Sequence, residues 1–301
     1  MNAVSALMSG LIDYAGLFPP AELDMRGAVE RYEEYLHGPD SSSLGRFIVP
    51  VNRLDEMEAV AGDLLSRSGA AQHWRIAIIV AQNAGKSVEK ALRFNSRHEN
   101  ASRAVIDTLE LKGESPASIA AAAAEVPRPM SCYFEVSLDE DLAPSIAAIR
   151  KAGARAKIRT GGVAAHAFPS AADVLKFLEA CDAAGVAFKA TAGLHHTVRA
   201  AYPLTYKVNA ESAAMFGFLN IFIAAAFLHS GTPSATVMRI LEEPDAAAFQ
   251  LEDRFIAWRG ETLDAGAIAD ARRNFAVCFG SCSFREPVDE LKQLLRAGTA
   301  V

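Results

Sequence analysis

The chain has 301 residues, 51% hydrophobic and 22% charged, with a formal net charge of -6; that is enough apolar material for one large core or two modest ones. Its lysines and arginines are scattered, so there is no basic stripe for a phosphate backbone and nucleic acid is not an expected partner. Cys132, Cys181, Cys278 and Cys282 show no CxxC spacing, and the opening MNAVSALMSGLIDYAGLFPP lacks the basic region and long apolar core of an export signal, so the expectation is a reducing cytoplasm.

Along the chain, short β-rich runs alternate with helical patterns, which is the signature of repeated βα units and a parallel sheet. Strands are predicted at 11–17 (LIDYAGL), 46–51 (RFIVPV), 75–80 (RIAIIV), 104–111 (AVIDTLEL), 131–137 (SCYFEVS), 155–160 (RAKIRT), 187–191 (AFKAT) and 275–280 (FAVCFG). Between them lie amphipathic helices such as MRGAVERYEEYLHG, RLDEMEAVAGDLLSR, DLAPSIAAIRKAG and AADVLKFLEACDAAG, several closing on a glycine suited to a left-handed cap. The alanine run at 120–124 is a good helix former. Eight strands with helical crossovers, and no GxGxxG after the first, predict an α/β protein built as one closed, all-parallel (β/α)8 TIM barrel over 1–301. The segment 194–274 is the irregular unit and predicts a helical insertion after strand 7. Within it, 212–231 (SAAMFGFLNIFIAAAFLHSG) is nearly long enough to span a bilayer. Asn220, His229 and the weakly charged flanks favour a helix buried in the fold or in a contact between subunits, hence no membrane partner and a homo-oligomer as a candidate assembly.

The informative motif is a local repeat, AGARAKIRTGG at 152–162 and AGVAFKATAG at 184–193, in which Lys157 and Lys189 each stand four residues after a helix-ending glycine. Equal spacing puts both lysines at one height on adjacent parallel strands. Two close ammonium groups in a partly desolvated barrel should pull one amine below its reference pKa of about 10.4 and make it a nucleophile for carbonyls. Arg159 shares the face of Lys157, where it would either depress the amine further or hold an anionic group of a substrate. Asp13, Asp107 and Glu135 lie on other predicted strands as partners for these cations. Asp107 is the candidate for proton transfer with a bound water, and Glu135 either orients a lysine or fixes the barrel interior.

His195 and His196 follow the seventh strand, at the end where barrel active sites form, and suit substrate binding or acid–base work. A metal would need a third ligand from Glu135 or Asp107, and no HxH or HExxH spacing supports one. In FGSCSF, Gly280, Ser281 and Ser283 could donate to an anion or simply form a tight turn. Cys278 and Cys282 have no obvious base beside them and read as packing residues.

These motifs resemble the deoxyribose-phosphate aldolase family of Schiff-base aldolases. LIDYAGLFPPAELDM is similar to that family's opening I-D-H-T-L-L-K-P strand and loop, and AVIDTLELKG to its aspartate-bearing fourth strand. CYFEVSLDEDLAPSIAAIRKAGARAKIRTGG resembles the stretch leading through a helix to K-T-S-T-G. The resemblance implies that Lys157 is the Schiff-base lysine, Lys189 the lysine that perturbs it, Asp107 the proton-relay aspartate and Asp13 the aspartate of the first strand. The chain departs from the pattern where Tyr14 replaces a histidine, Arg159 a small serine, and Leu194-His195-His196 the G-G-I-R turn that helps hold phosphate.

The resulting expectation is a class I carbon–carbon lyase acting on a small carbonyl or sugar-derived substrate, without cofactor or metal. The rival expectations are an isomerase or dehydratase with a lysine as general base, and a non-catalytic barrel in which the inward charges form only a structural network.

Overall fold

The computed structural model describes residues 2–67, 73–81, 83–98 and 103–298. Eight parallel strands close into a barrel: β1 (Ile12–Tyr14), β2 (Leu44–Pro50), β3 (Trp74–Ile79), β4 (Ala104–Lys112), β5 (Ser131–Glu135), β6 (Arg155–Arg159), β7 (Phe188–Thr191) and the last, Ala276–Ser281, which pairs with both β1 and β7. The predicted fold class is the observed one.

Alternation sets which side chains face in. In β1 the outer residue Tyr14 stacks in an aromatic cluster with Tyr32, Phe47 and Tyr35, while Asp13 meets Lys189 inside. Outside the barrel, helix Leu142–Ala152 ends on Gly153 at φ 66° and helix Ala171–Ala184 on Gly185 at φ 61°, both left-handed caps as expected. Helix Met25–His37 does not end this way, since its Gly38 has φ -77°. The alanine run lies in helix Pro116–Ala124, which opens on a Ser115/Ser118 capping box.

The segment after β7 is mixed rather than simply helical. It opens with a hairpin, β8 (Ala200–Pro203) and β9 (Ser212–Met215), and continues through helices Phe218–His229 and Ser234–Glu242. A three-stranded antiparallel sheet follows, β10 (Phe249–Leu251), β11 (Phe255–Trp258) and β12 (Glu261–Asp264), then helix Ala265–Asn274, so that the closing barrel strand is β13. From this last helix the buried Arg272 donates to the carbonyls of Leu7, Ser9, Ala276 and Val277, tying the insertion to the chain's opening segment and to β13.

The apolar stretch 212–231 divides into β9 and the twelve-residue helix Phe218–His229, which is buried from Phe218 to Phe227. Asn220 is accommodated there because its side chain accepts from the Arg199 N–H and donates to the Ile240 and Glu243 carbonyls, each at 2.8 Å. Among the described residues no helix is long and apolar enough to cross a membrane.

Candidate active site

The carboxyl ends of the strands surround a cavity of about 590 Å³, the usual place for a site in this architecture. Lys157 and Lys189 are direct register partners on β6 and β7. Their glycine-ended strands explain the sequence repeat: a Cβ built on Gly161 would stand 2.9 Å from the Gly193 Cα, and Gly193 itself has φ 74°. The two chains leave the barrel in contact there, and only glycine permits both the approach and the left-handed turn.

The two lysines have different surroundings. Lys189 is wholly buried and donates to Asp13 Oδ2 and Glu110 Oε1, both at 2.6 Å. Lys157 lines the cavity and lies 2.9 Å from Glu110 Oε2 and 3.0 Å from Glu135 Oε2. Glu110 Oε2 receives no aligned hydrogen bond, so its contact with Lys157 is one of charge rather than direction. Asp13, behind Lys189, also accepts from the Arg46 backbone N–H at 2.7 Å and from the Cys278 thiol at 3.3 Å. Gly45 makes room for it, because a Cβ at that position would lie 2.2 Å from Asp13 Oδ1.

This arrangement overturns the expected depression of a lysine pKa. Burial does work against the Lys157 ammonium, but Glu110 and Glu135 outweigh it and raise its pKa above the ordinary lysine value. Burial likewise opposes the Lys189 ammonium, and Asp13 and Glu110 lift that group well above the ordinary value. Burial also disfavours the Glu110 carboxylate, yet Lys157 and Lys189 hold its pKa at about 2. Two ammonium groups alone would repel, but here three carboxylates stand among them and decide the sign.

Asp107 is not part of this cluster. It sits at an irregularity of β4 between the pairs Ile76↔Ile106 and Ala77↔Thr108. There it binds Arg46 at 2.5 and 3.1 Å and Arg75 at 2.9 and 3.1 Å. Burial pushes its carboxyl up, but the two guanidinium groups more than compensate and hold it below the usual carboxylate range, which suits a fixed anion better than a proton relay. The carboxylate next to the lysines is Glu110, three residues on. In a period-2 strand, positions three apart fall on opposite faces. Phasing AVIDTLEL on Glu110 and Lys112 would have found it, since both line the cavity.

The remaining predicted residues separate in the same way. Glu135, Arg159, His195 and Gly280 line the cavity, whereas Asp13, Lys189, His196 and Ser281 do not. His195 Nδ1 is 3.3 Å from Ser281 Oγ, 3.6 Å from Cys282 Sγ and 3.7 Å from Glu286 Oε2. Burial pushes its pKa down to about 4, so the ring is neutral near pH 7. His196 instead bonds Glu290 at 2.6 Å and stacks on Tyr202. The neighbouring histidines therefore have different partners, and no group of three or more His, Cys, Asp or Glu is arranged to hold a metal among the described residues. Cys282 does line the cavity beside His195, although burial pushes its thiol up to about 11.

A comparison of the chain with protein families finds no match, and a comparison with curated proteins finds none either.

Proposed function

We propose that the cavity is the active site of a lyase of the class I aldolase type, in which Lys157 reacts with a small aldehyde or ketone. The observation that carries this reading is a lysine amine that lines the cavity at the barrel mouth while touching two carboxylates. Lys157 passes a proton to a neighbouring carboxylate, and its free amine then adds to the carbonyl carbon. The carboxylic acid so formed returns its proton to the carbinolamine hydroxyl, which departs as water and leaves a protonated imine and a carboxylate free to act as a base. Cleavage of the bond between the α and β carbons sends its electron pair into that imine, while the β-hydroxyl proton goes to a base. Glu135 fits that role, being half-buried at the cavity wall beside Lys157. Lys189 keeps Glu110 in place and does not itself reach the substrate. The resemblance of the Lys157 and Lys189 segments to Schiff-base aldolases supports the same reading.

The raised pKa of Lys157 favours a second reading: an isomerase or dehydratase in which Glu135 removes a proton and the Lys157 ammonium stabilises the oxyanion. Borohydride reduction in the presence of small aldehydes and ketones separates the two. On the first reading, peptide mapping places the added mass on Lys157, and Lys157→Ala protein gains none. Turnover of a carbonyl compound with no trapped adduct would sink the first reading in favour of the second.

A further inference from the structure

The inside of the barrel mouth is divided by chemistry. On one side Ala15, Ile48 and Ala77 form a buried apolar cluster separate from the main core, with Phe18 and Ile79 packed on it. Ile48, Ile79 and Phe18 of this cluster face the cavity. On the other side β4, β5 and β6 present Glu110, Glu135, Lys157 and Arg159 to the same space. The apolar side comes from the first three βα units and the charged side from the next three, so a ligand that fills the cavity touches both.

The charges differ in how far they are already matched. Lys157 is held between two carboxylates. Arg159 lines the cavity, is exposed, and has no ion-pair partner among the described residues. Lys112, at the end of β4 on the same charged side, lines the cavity in the same condition. Arg159 lies two residues beyond Lys157 on one face of β6, roughly 7 Å along the strand. Its planar guanidinium matches a carboxylate with two parallel hydrogen bonds.

We infer that the cavity takes an apolar oxo-carboxylate: a molecule whose carbonyl meets Lys157, whose carboxylate meets Arg159, and whose alkyl or aryl body lies on Phe18, Ile48 and Ile79. A polyol in the same position would place hydroxyl groups against those three side chains, which offer no hydrogen-bond partner. The carbonyl contact rests on the reaction proposed for Lys157, whereas the apolar and anionic contacts do not.

Calorimetric binding of three probes without a carbonyl therefore tests this class separately from the Schiff base. The probes are 3-phenylpropionate, the neutral 3-phenylpropanol and glycerol 3-phosphate. The expected result is that 3-phenylpropionate binds about tenfold or more tightly than either of the others, and that Arg159→Gln removes about that margin over the alcohol. Phe18→Ser, in a half-buried loop position, should weaken the two phenyl probes and leave glycerol 3-phosphate unchanged. Equal or tighter binding of glycerol 3-phosphate would overturn the inference, as would 3-phenylpropionate binding that is indifferent to Arg159→Gln. Failure of all three probes to bind would overturn it as well, even if borohydride traps an adduct on Lys157. An apolar carboxylate that binds without any trapped carbonyl would leave the substrate class standing and count against the Schiff base.

Discussion

At the residue scale the contrast between the two lysines is the main result. Lys189 has no exposure and satisfies two buried carboxylates, whereas Lys157 shares one of these and borders open space. Removing one partner of a buried ion pair leaves an uncompensated charge, at a cost of about 3–5 kcal/mol. Lys189→Met should therefore lose about that much stability in chemical denaturation. Lys157→Met should lose clearly less, because Glu110 keeps Lys189 and Glu135 lies at the cavity wall. Equal losses would mean that the two positions are equivalent structural pairs, with nothing to mark Lys157 for chemistry. The lysine register was legible in the sequence because both residues are counted from a helix-ending glycine. Which carboxylates meet them was not, because Asp107 and Glu110 both lie in one strand whose irregularity hides its phase.

At the scale of elements, the contact between the ends of β6 and β7 fixes how both lysine strands leave the barrel. Gly193 combines φ 74° with a neighbouring Gly161 Cα that a Cβ would approach to 2.9 Å. Gly153, at φ 66°, has nothing within 4 Å of a built Cβ. Gly153→Ala should then show only the left-handed penalty of about 1–2 kcal/mol. Gly193→Ala should exceed it in the same denaturation assay, since Phe168 and the Gly161 backbone would also have to move. Comparable losses would mean that the loop yields freely and that the close approach is incidental. The insertion after β7 shows the limit of pattern reading: its unusual length was visible, but its five short strands were obscured by loops and alanine-rich runs that lack a clean alternation.

For the whole molecule, the paired charges predict how stability follows pH. Glu110 titrates at about 2 in the fold against an ordinary value of 4.5, so its contribution is complete above pH 4.5 and is lost as the pH falls toward 2. Burial lowers His195 from 6.5 to about 4; the unfolded chain binds that proton more readily, so stability also falls as the pH drops through this window. The two lysines are raised above 10.5, so their contribution is intact below that value and is lost as the pH rises through their folded values. Denaturation followed from pH 2 to 11 should give a plateau with losses at both ends. His195→Asn should flatten the part between 4 and 6.5, and an unchanged slope there would show that His195 is not the residue responsible. The sequence alone determined the closed parallel barrel, because eight alternating βα units carry their own periodicity and caps, and it determined the lysine pair, because position along a strand is a local count. The charge state of that pair, the place of Glu110 beside it and the separation of Asp107 from it were decided only by tertiary structure, because they depend on β1, β4, β5, β6 and β7 meeting around one low-dielectric interior, where distance across the barrel rather than distance along the chain sets the electrostatic balance.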